Sequence, residues 1–169
     1  MRMPSACFDI ENRRGVLFYA RQSQSRPQIV VFEINGGDSD NGGKVVSGTN
    51  FDVATRELGS DNSGICYHRA LGKVVCVYGD NNDEGVAHVG RVSPDNNSIR
   101  ISAKYAFYTA ASVNSVAIVY DEVNEKVVIA YCPANTTQLE VVVGTVGETA
   151  NSITFGTAAS VTSVNPQRS

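Results

Sequence analysis

Two histidines, four cysteines and a few strand-end carboxylates are where any chemistry in this 169-residue chain would have to begin. His68 and His88 each fall in an apolar, β-rich run, and neither has a serine or cysteine beside it in a nucleophile motif. A hydrogen-bonded structural role is expected for both. Glycoside hydrolysis needs two carboxyl groups facing each other at about 5–10 Å. Asp9, Asp121 and Glu122 lie at strand ends, but nothing in their spacing brings them together. Cys7, Cys66, Cys76 and Cys132 show no C-x-x-C spacing and sit in or at the ends of apolar runs, as small buried hydrophobes with free thiols do. Cys66 and His68 are the one close pair, and a single pair does not make a zinc site. A chain that does not depend on disulfides fits synthesis in a reducing cytoplasm.

Two acidic turns gather oxygen ligands. Asp38-x-Asp40-x-Gly42-Gly43 opens like a calcium loop, but the twelfth position is Thr49 where an EF-hand needs a bidentate Glu. Asp80-Asn81-Asn82-Asp83-Glu84-Gly85 is equally the composition of a tight turn with positive φ. Tyr67, Tyr78, Tyr120 and Tyr131 recur at strand ends. Their rings suit either stacking on sugars at a rim or packing between sheets, and packing is the stronger reading. Arg13-Arg14 reads as a solvated turn. The residues alone therefore predict no enzyme, no catalytic site, no metal and no cofactor.

The elements that would position these residues are strands throughout. Val, Ile, Tyr, Phe and Thr cluster in short runs separated by Asn, Asp, Gly and Ser, and no stretch shows helical period. The one helix-like piece, 50–58, reads equally as a strand end and loop. Strands are expected over 6–10, 15–20, 28–34 and 44–46, then 63–68, 73–78, 86–92 and 98–101, then 115–121, 126–131, 139–146 and 152–156. These form three repeats, at about 5–59, 60–111 and 112–162, with 163–169 as a tail or the start of a next unit. The K-V-V motifs at Lys73 and Lys126 lie 53 residues apart. Aligning Val16 with Val74 gives 58, the extra length falling in the Gly36–Gly43 turn. A smaller mark, Ser60-x-Asn62, Ser112-x-Asn114 and Ser163-x-Asn165, falls near the start of each first strand.

Apolar residues make up 42% of the chain and charged residues 18%, enough for a core and too little charge for disorder. The net charge of −3 disfavours nucleic acid as a partner. No run reaches the roughly 18 apolar residues that span a bilayer, and the N-terminus lacks the apolar region of a secretory signal, so no membrane insertion is expected.

Four short antiparallel strands per unit of about 50 residues is the pattern of a β-propeller blade, with another repeat β-sandwich or β-prism as the alternative. Strands such as V-V-C-V and V-V-I-A are almost continuously apolar, as expected where a sheet is covered on both faces. Three blades do not easily close a ring, since propellers typically have about 4–8. Self-association or further polypeptide on the terminal blades is therefore expected, because Val16–Tyr19 and Val127–Ala130 would otherwise face water.

From Val116 to Thr157 the chain reads V-A-I-V-Y-D-E-V-N-E-K-V-V-I-A-Y, then V-V-V-G-T-V-G, then S-I-T-F-G-T. These motifs resemble the tandem repeats of tailed-bacteriophage tail fibres and other virion proteins. The second unit departs from the pattern, with His68 for the Asp of Y-D and Gly90-Arg91-Val92 for G-T-V; the first departs further. The resemblance implies a virion surface component made in the host cytoplasm, a structural or host-attachment module that contacts other virion polypeptides and a host-surface glycan, with no active site. A carbohydrate-binding propeller is the alternative.

Overall fold

The computed structural model describes residues 2–20, 26–35, 44–54, 58–93 and 95–162. The acidic turn at 38–43 and the third Ser-x-Asn at 163–165 lie outside the described residues. The chain is all-β. Strands β1 (Arg2–Asp9), β2 (Arg14–Ala20) and β3 (Pro27–Asn35) form an antiparallel meander, completed by β4 (Lys44–Ser47) and β5 (Phe51–Asp52), which both pair with β3. The second sheet repeats this with β6 (Leu58–His68), β7 (Lys73–Asp80), β8 (Gly85–Ser93), β9 (Ser98–Ile101) and β10 (Tyr105–Tyr108). The third uses β11 (Val113–Asp121), β12 (Lys126–Pro133), β13 (Leu139–Val146), β14 (Ile153–Phe155) and β15 (Ala159–Thr162). The only helical turn among the described residues is the 3₁₀ turn Arg69–Leu71.

The fourth strand of every sheet is broken in two, which the sequence pattern did not disclose. The break is built the same way each time. The N–H groups of Gly48, Ser102 and Gly156 donate to the carbonyls of Val31, Val89 and Val143 on the third strand. The chain then leaves the sheet and returns as β5, β10 or β15. Pieces of two to four residues carry too little alternation to read as strands. The described residues of the segment read as helix-like therefore contain β5 and no helix. Ser60 and Asn62 lie inside β6, and Asn114 inside β11, rather than ahead of the first strand.

Register fixes which residues are equivalent. Asp9 pairs with Arg14, His68 with Lys73 and Asp121 with Lys126. Val16 is thus equivalent to Val75 and Val128, one residue away from the alignment with Val74. The difference matters, because a one-residue slip exchanges the two faces of a strand.

With that register, the sheets stack in one direction. Val16, Phe18 and Ala20 of β2 face the second sheet, where they share a core with Val74, Cys76 and Tyr78 of β7. The alternate residues of β7, Val75 and Val77, face the third sheet and share a core with Val127, Ile129 and Tyr131 of β12. All eight residues of β7 are buried, whereas burial alternates along β12. The continuous apolar run therefore marks a doubly covered strand only in the middle sheet. In β12 the second face, with Val128 and Ala130, is half open. The first strands pack most closely: β6 lies against both β1 and β11, and contacts thin toward the outer strands.

One volume exchange recurs at the same register. In the second and third sheets a valine on the second strand sits opposite a glycine on the third, Val74 with Gly90 and Val127 with Gly144. In the first sheet Gly15 sits opposite Phe32, and a Cβ on Gly15 would come within 2.1 Å of the Phe32 ring. One large and one absent side chain fill the place in each sheet. Gly15→Val alone is expected to cost about 1–3 kcal/mol by overpacking. Combined with Phe32→Gly it rebuilds the arrangement of the other two sheets, so the double variant should lose less than the sum of the singles by about 1 kcal/mol or more. Urea unfolding of the four proteins checks this, and strict additivity would contradict the exchange.

Candidate functional site

The side chains with chemical potential converge on the seams between sheets. At the turns joining first and second strands, Asp9 accepts from the backbone N–H and side-chain amide of Asn12, at 3.0 and 2.8 Å. Asp121 repeats this with Asn124, at 3.2 and 2.7 Å, and also accepts from the Val123 N–H. These bonds, the Asn124 amide first, hold the Asp121 carboxyl below its ordinary pKa. The turns close through left-handed residues, Arg13 at φ 54° and Glu125 at φ 55°. In the second sheet Gly72 takes that conformation, at φ 60°, and His68 replaces the aspartate.

His68 reaches across to the third sheet. Its ring packs on Tyr120 with centroids 4.4 Å apart, and Nε2 lies 3.2 Å from the Glu125 carbonyl. A carbonyl only accepts, so Nε2 carries the proton, and Nδ1 is buried without a partner. His88 is satisfied on both nitrogens: Nδ1 donates to the Ser102 carbonyl at 3.1 Å, and Tyr78 donates its hydroxyl to Nε2 at 3.0 Å. Burial lowers the pKa of both rings below the ordinary 6.5. The unfolded chain therefore takes up protons first on acidification. Stability is complete above about pH 6.5 and falls as the pH drops through the folded values. Between pH 7 and pH 5 the urea midpoint should fall more in the wild type than in the His88→Gln variant; equal slopes would contradict a neutral, buried His88.

The thiols are buried or half-buried. All four cysteines are free. Burial pushes Cys7 and Cys76 up to about 12 and raises Cys66 as well, leaving little thiolate at neutral pH. Tyr67, Tyr78 and Tyr131 are buried and Tyr120 half-buried. Tyr78 packs on Phe18 at 5.8 Å, and Tyr131 packs on Phe107 at 5.1 Å and donates to Glu140 at 2.6 Å. The three buried rings pack in the cores between sheets, and Tyr120 packs on His68 of the second sheet.

Asp80 organises its turn by accepting from the Asn82 and Glu84 N–H groups at 2.9 and 3.2 Å. The Lys104 ammonium pairs with both Asp80 and Glu84, taking the place a cation would occupy. Asp9 and Asp121 are two sheets apart, with His68 in the equivalent place between them, and Glu122 pairs with Arg69 at 4.0 Å. Among the described residues no group of three metal-ligating side chains converges.

Two features escaped the sequence reading. The first is a basic residue at the start of each second strand, which in the first and second sheets reaches over the next sheet. Arg14 is not a freely solvated turn residue: it donates from Nε to the Asn97 side chain in the β8–β9 turn and pairs with Glu33 at 3.3 Å. Lys73, only 1% exposed, donates to the carbonyls of Gly147, Glu148 and Ala150 in the β13–β14 turn. Lys126 holds the same place in the third sheet. The K-V-V repeat marks these lysines, but only register shows what they reach.

The second is a groove of about 960 Å³ between the outer strands of the second sheet and the β13–β14 turn. Arg91 and Arg100, directly opposite each other on β8 and β9, line it with Tyr105, Glu148 and Asn151.

No protein-family model, curated protein or solved structure matches this chain.

Proposed function

We infer that the chain is a non-catalytic structural and adhesion module of a virion surface, of the tail-fibre kind, built from propeller-type blades whose terminal faces pack against further sheets of the same repeat. One observation carries the stacking part of this reading. Val53, Phe107 and Val161 are equivalent residues, each following the paired position Asp52, Ala106 or Ser160 on the returning strand. Val53 and Phe107 are each 9% exposed under the next sheet, while Val161 is 51% exposed. The same residue type thus waits for the same cover in the third sheet. Val119 and Val143, 59% and 44% exposed on that face, extend the patch. Close packing of first strands and splaying of outer ones support the radial, propeller form over a flat sandwich.

The non-catalytic part is supported by what the reactive groups already do. His68, His88, Lys73 and three of the cysteines are spent on cores and seams. The virion assignment rests on the repeat motifs between Val116 and Thr157. Immunogold labelling of purified phage particles with an antibody to this chain tests it: labelled fibres or other surface structures are expected, and particles free of the chain overturn the assignment. A carbohydrate-binding propeller remains the second reading, favoured by the arginine-lined groove.

A further inference from the structure

The groove between the second and third sheets has a charge arrangement that the fold alone does not explain. Arg91 and Arg100 are direct cross-strand partners in the antiparallel pair β8–β9. Like charges in that position repel. Arg91 donates to the Leu71 carbonyl at 3.0 Å. Among the described residues no carboxylate lies within 4 Å of either guanidinium. Lys73 adds a third cation nearby, its pKa lowered first by burial and then by the charge of Arg91. Among the described residues Glu148 is the one acidic side chain lining the groove. This concentration of positive charge stands in a chain whose net charge is −3.

The equivalent positions show that repeat geometry does not require it. In the first sheet the place of Arg91 is taken by Glu33, which neutralises Arg14, and that of Arg100 by Val46. In the third sheet both places hold threonine, Thr145 and Thr154. The arginine pair is a property of one groove.

The groove also contains an aromatic surface. Tyr105 pairs with Ala87, which lies on the same face of β8 as Arg91. Four residues along a strand separate their backbones by about 13 Å, and both side chains line the same groove. Two neighbouring guanidiniums suit a carboxylate or sulfate, and a ring lining the same groove suits the face of a sugar. The Lys73 ammonium, bound to the carbonyls of Gly147, Glu148 and Ala150, fixes the opposite wall.

We propose that the groove lined by Arg91, Arg100 and Tyr105 binds an acidic oligosaccharide, its carboxylate or sulfate held between the two guanidiniums and a neighbouring sugar unit against Tyr105. The choice of a saccharide rests on the adhesion reading; the oxyanion site rests on the arginine geometry, whatever particle carries the chain.

Isothermal titration of the whole chain with a sulfated tetrasaccharide, a uronate tetrasaccharide, a neutral tetrasaccharide and sodium sulfate tests the proposal. At least one acidic tetrasaccharide should bind about tenfold or more tighter than both the neutral sugar and free sulfate. Arg91→Gln and Arg100→Gln should each weaken that binding by about tenfold, with Tm unchanged or raised because a repulsive pair is relieved. Arg13→Gln, in an exposed turn of the first sheet, should leave binding unchanged. Absence of binding, free sulfate binding as tightly as the sugars, or binding retained in both arginine variants overturns the proposal. None of these results bears on immunogold labelling, so the two readings fail separately.

Discussion

Val75→Asp is expected to unfold the chain, while Val128→Asp, the same substitution at the equivalent residue one sheet later, leaves it folded. Val75 is 0% exposed, between the second and third sheets, and a carboxylate there has neither water nor a cation. Burying an unpaired charge costs several kcal/mol even after relaxation, against a total stability of about 5–15 kcal/mol for a domain. Val128 lies on the open face of the third sheet, where the carboxylate reaches solvent, and a cost of about 1 kcal/mol is expected. Circular dichroism and urea unfolding of both variants check this. Equal damage would mean that the third sheet is covered on both faces by its own chain.

Lys73→Met should be strongly destabilising. The ammonium satisfies three carbonyls of the β13–β14 turn, and its own three donors are used in doing so. A methionine of similar length fills the space but leaves the carbonyls without a donor. Unsatisfied buried acceptors cost about 1–3 kcal/mol each, less where water reaches them, so a loss of about 3 kcal/mol is expected. Lys126→Met, at the place with no described sheet beyond it, should cost under about 1 kcal/mol. Denaturant unfolding of the pair tests whether the repeated lysine acts across the seam or only within its own sheet. If Lys73→Met were as mild as Lys126→Met, the seam contact would carry no weight.

The contrast between these lysines shows what the sequence could and could not disclose. Twelve strands were legible because their apolar runs are bounded by Asn, Asp and Gly at regular spacing; β9 and β13 match their expected limits, 98–101 and 139–146. β5, β10 and β15 were not, because each is a piece of two to four residues, too short to show alternation, set off by the break at Gly48, Ser102 or Gly156. The alignment of Val16 with Val74 was one residue out, because sequence similarity does not show that the turns pairing Asp9 with Arg14 and His68 with Lys73 set the register. The burial of the histidines was legible from their apolar neighbours. The groove was invisible, since Arg91 and Arg100 become neighbours only through β8–β9 pairing and meet Glu148 only through stacking of the third sheet.

The central claim is that each sheet presents one face for the next sheet of the same repeat, so that the open face of the third seeks the cover that the first two already have. Sedimentation equilibrium over a wide concentration range tests it most directly, on the wild type and on a Val119→Lys/Val143→Lys variant. The account predicts concentration-dependent association of the wild type and a folded monomer for the variant, since two ammonium groups on that face block the stacking of another sheet. A wild type that stays monomeric throughout, or a variant that associates as strongly, would contradict it.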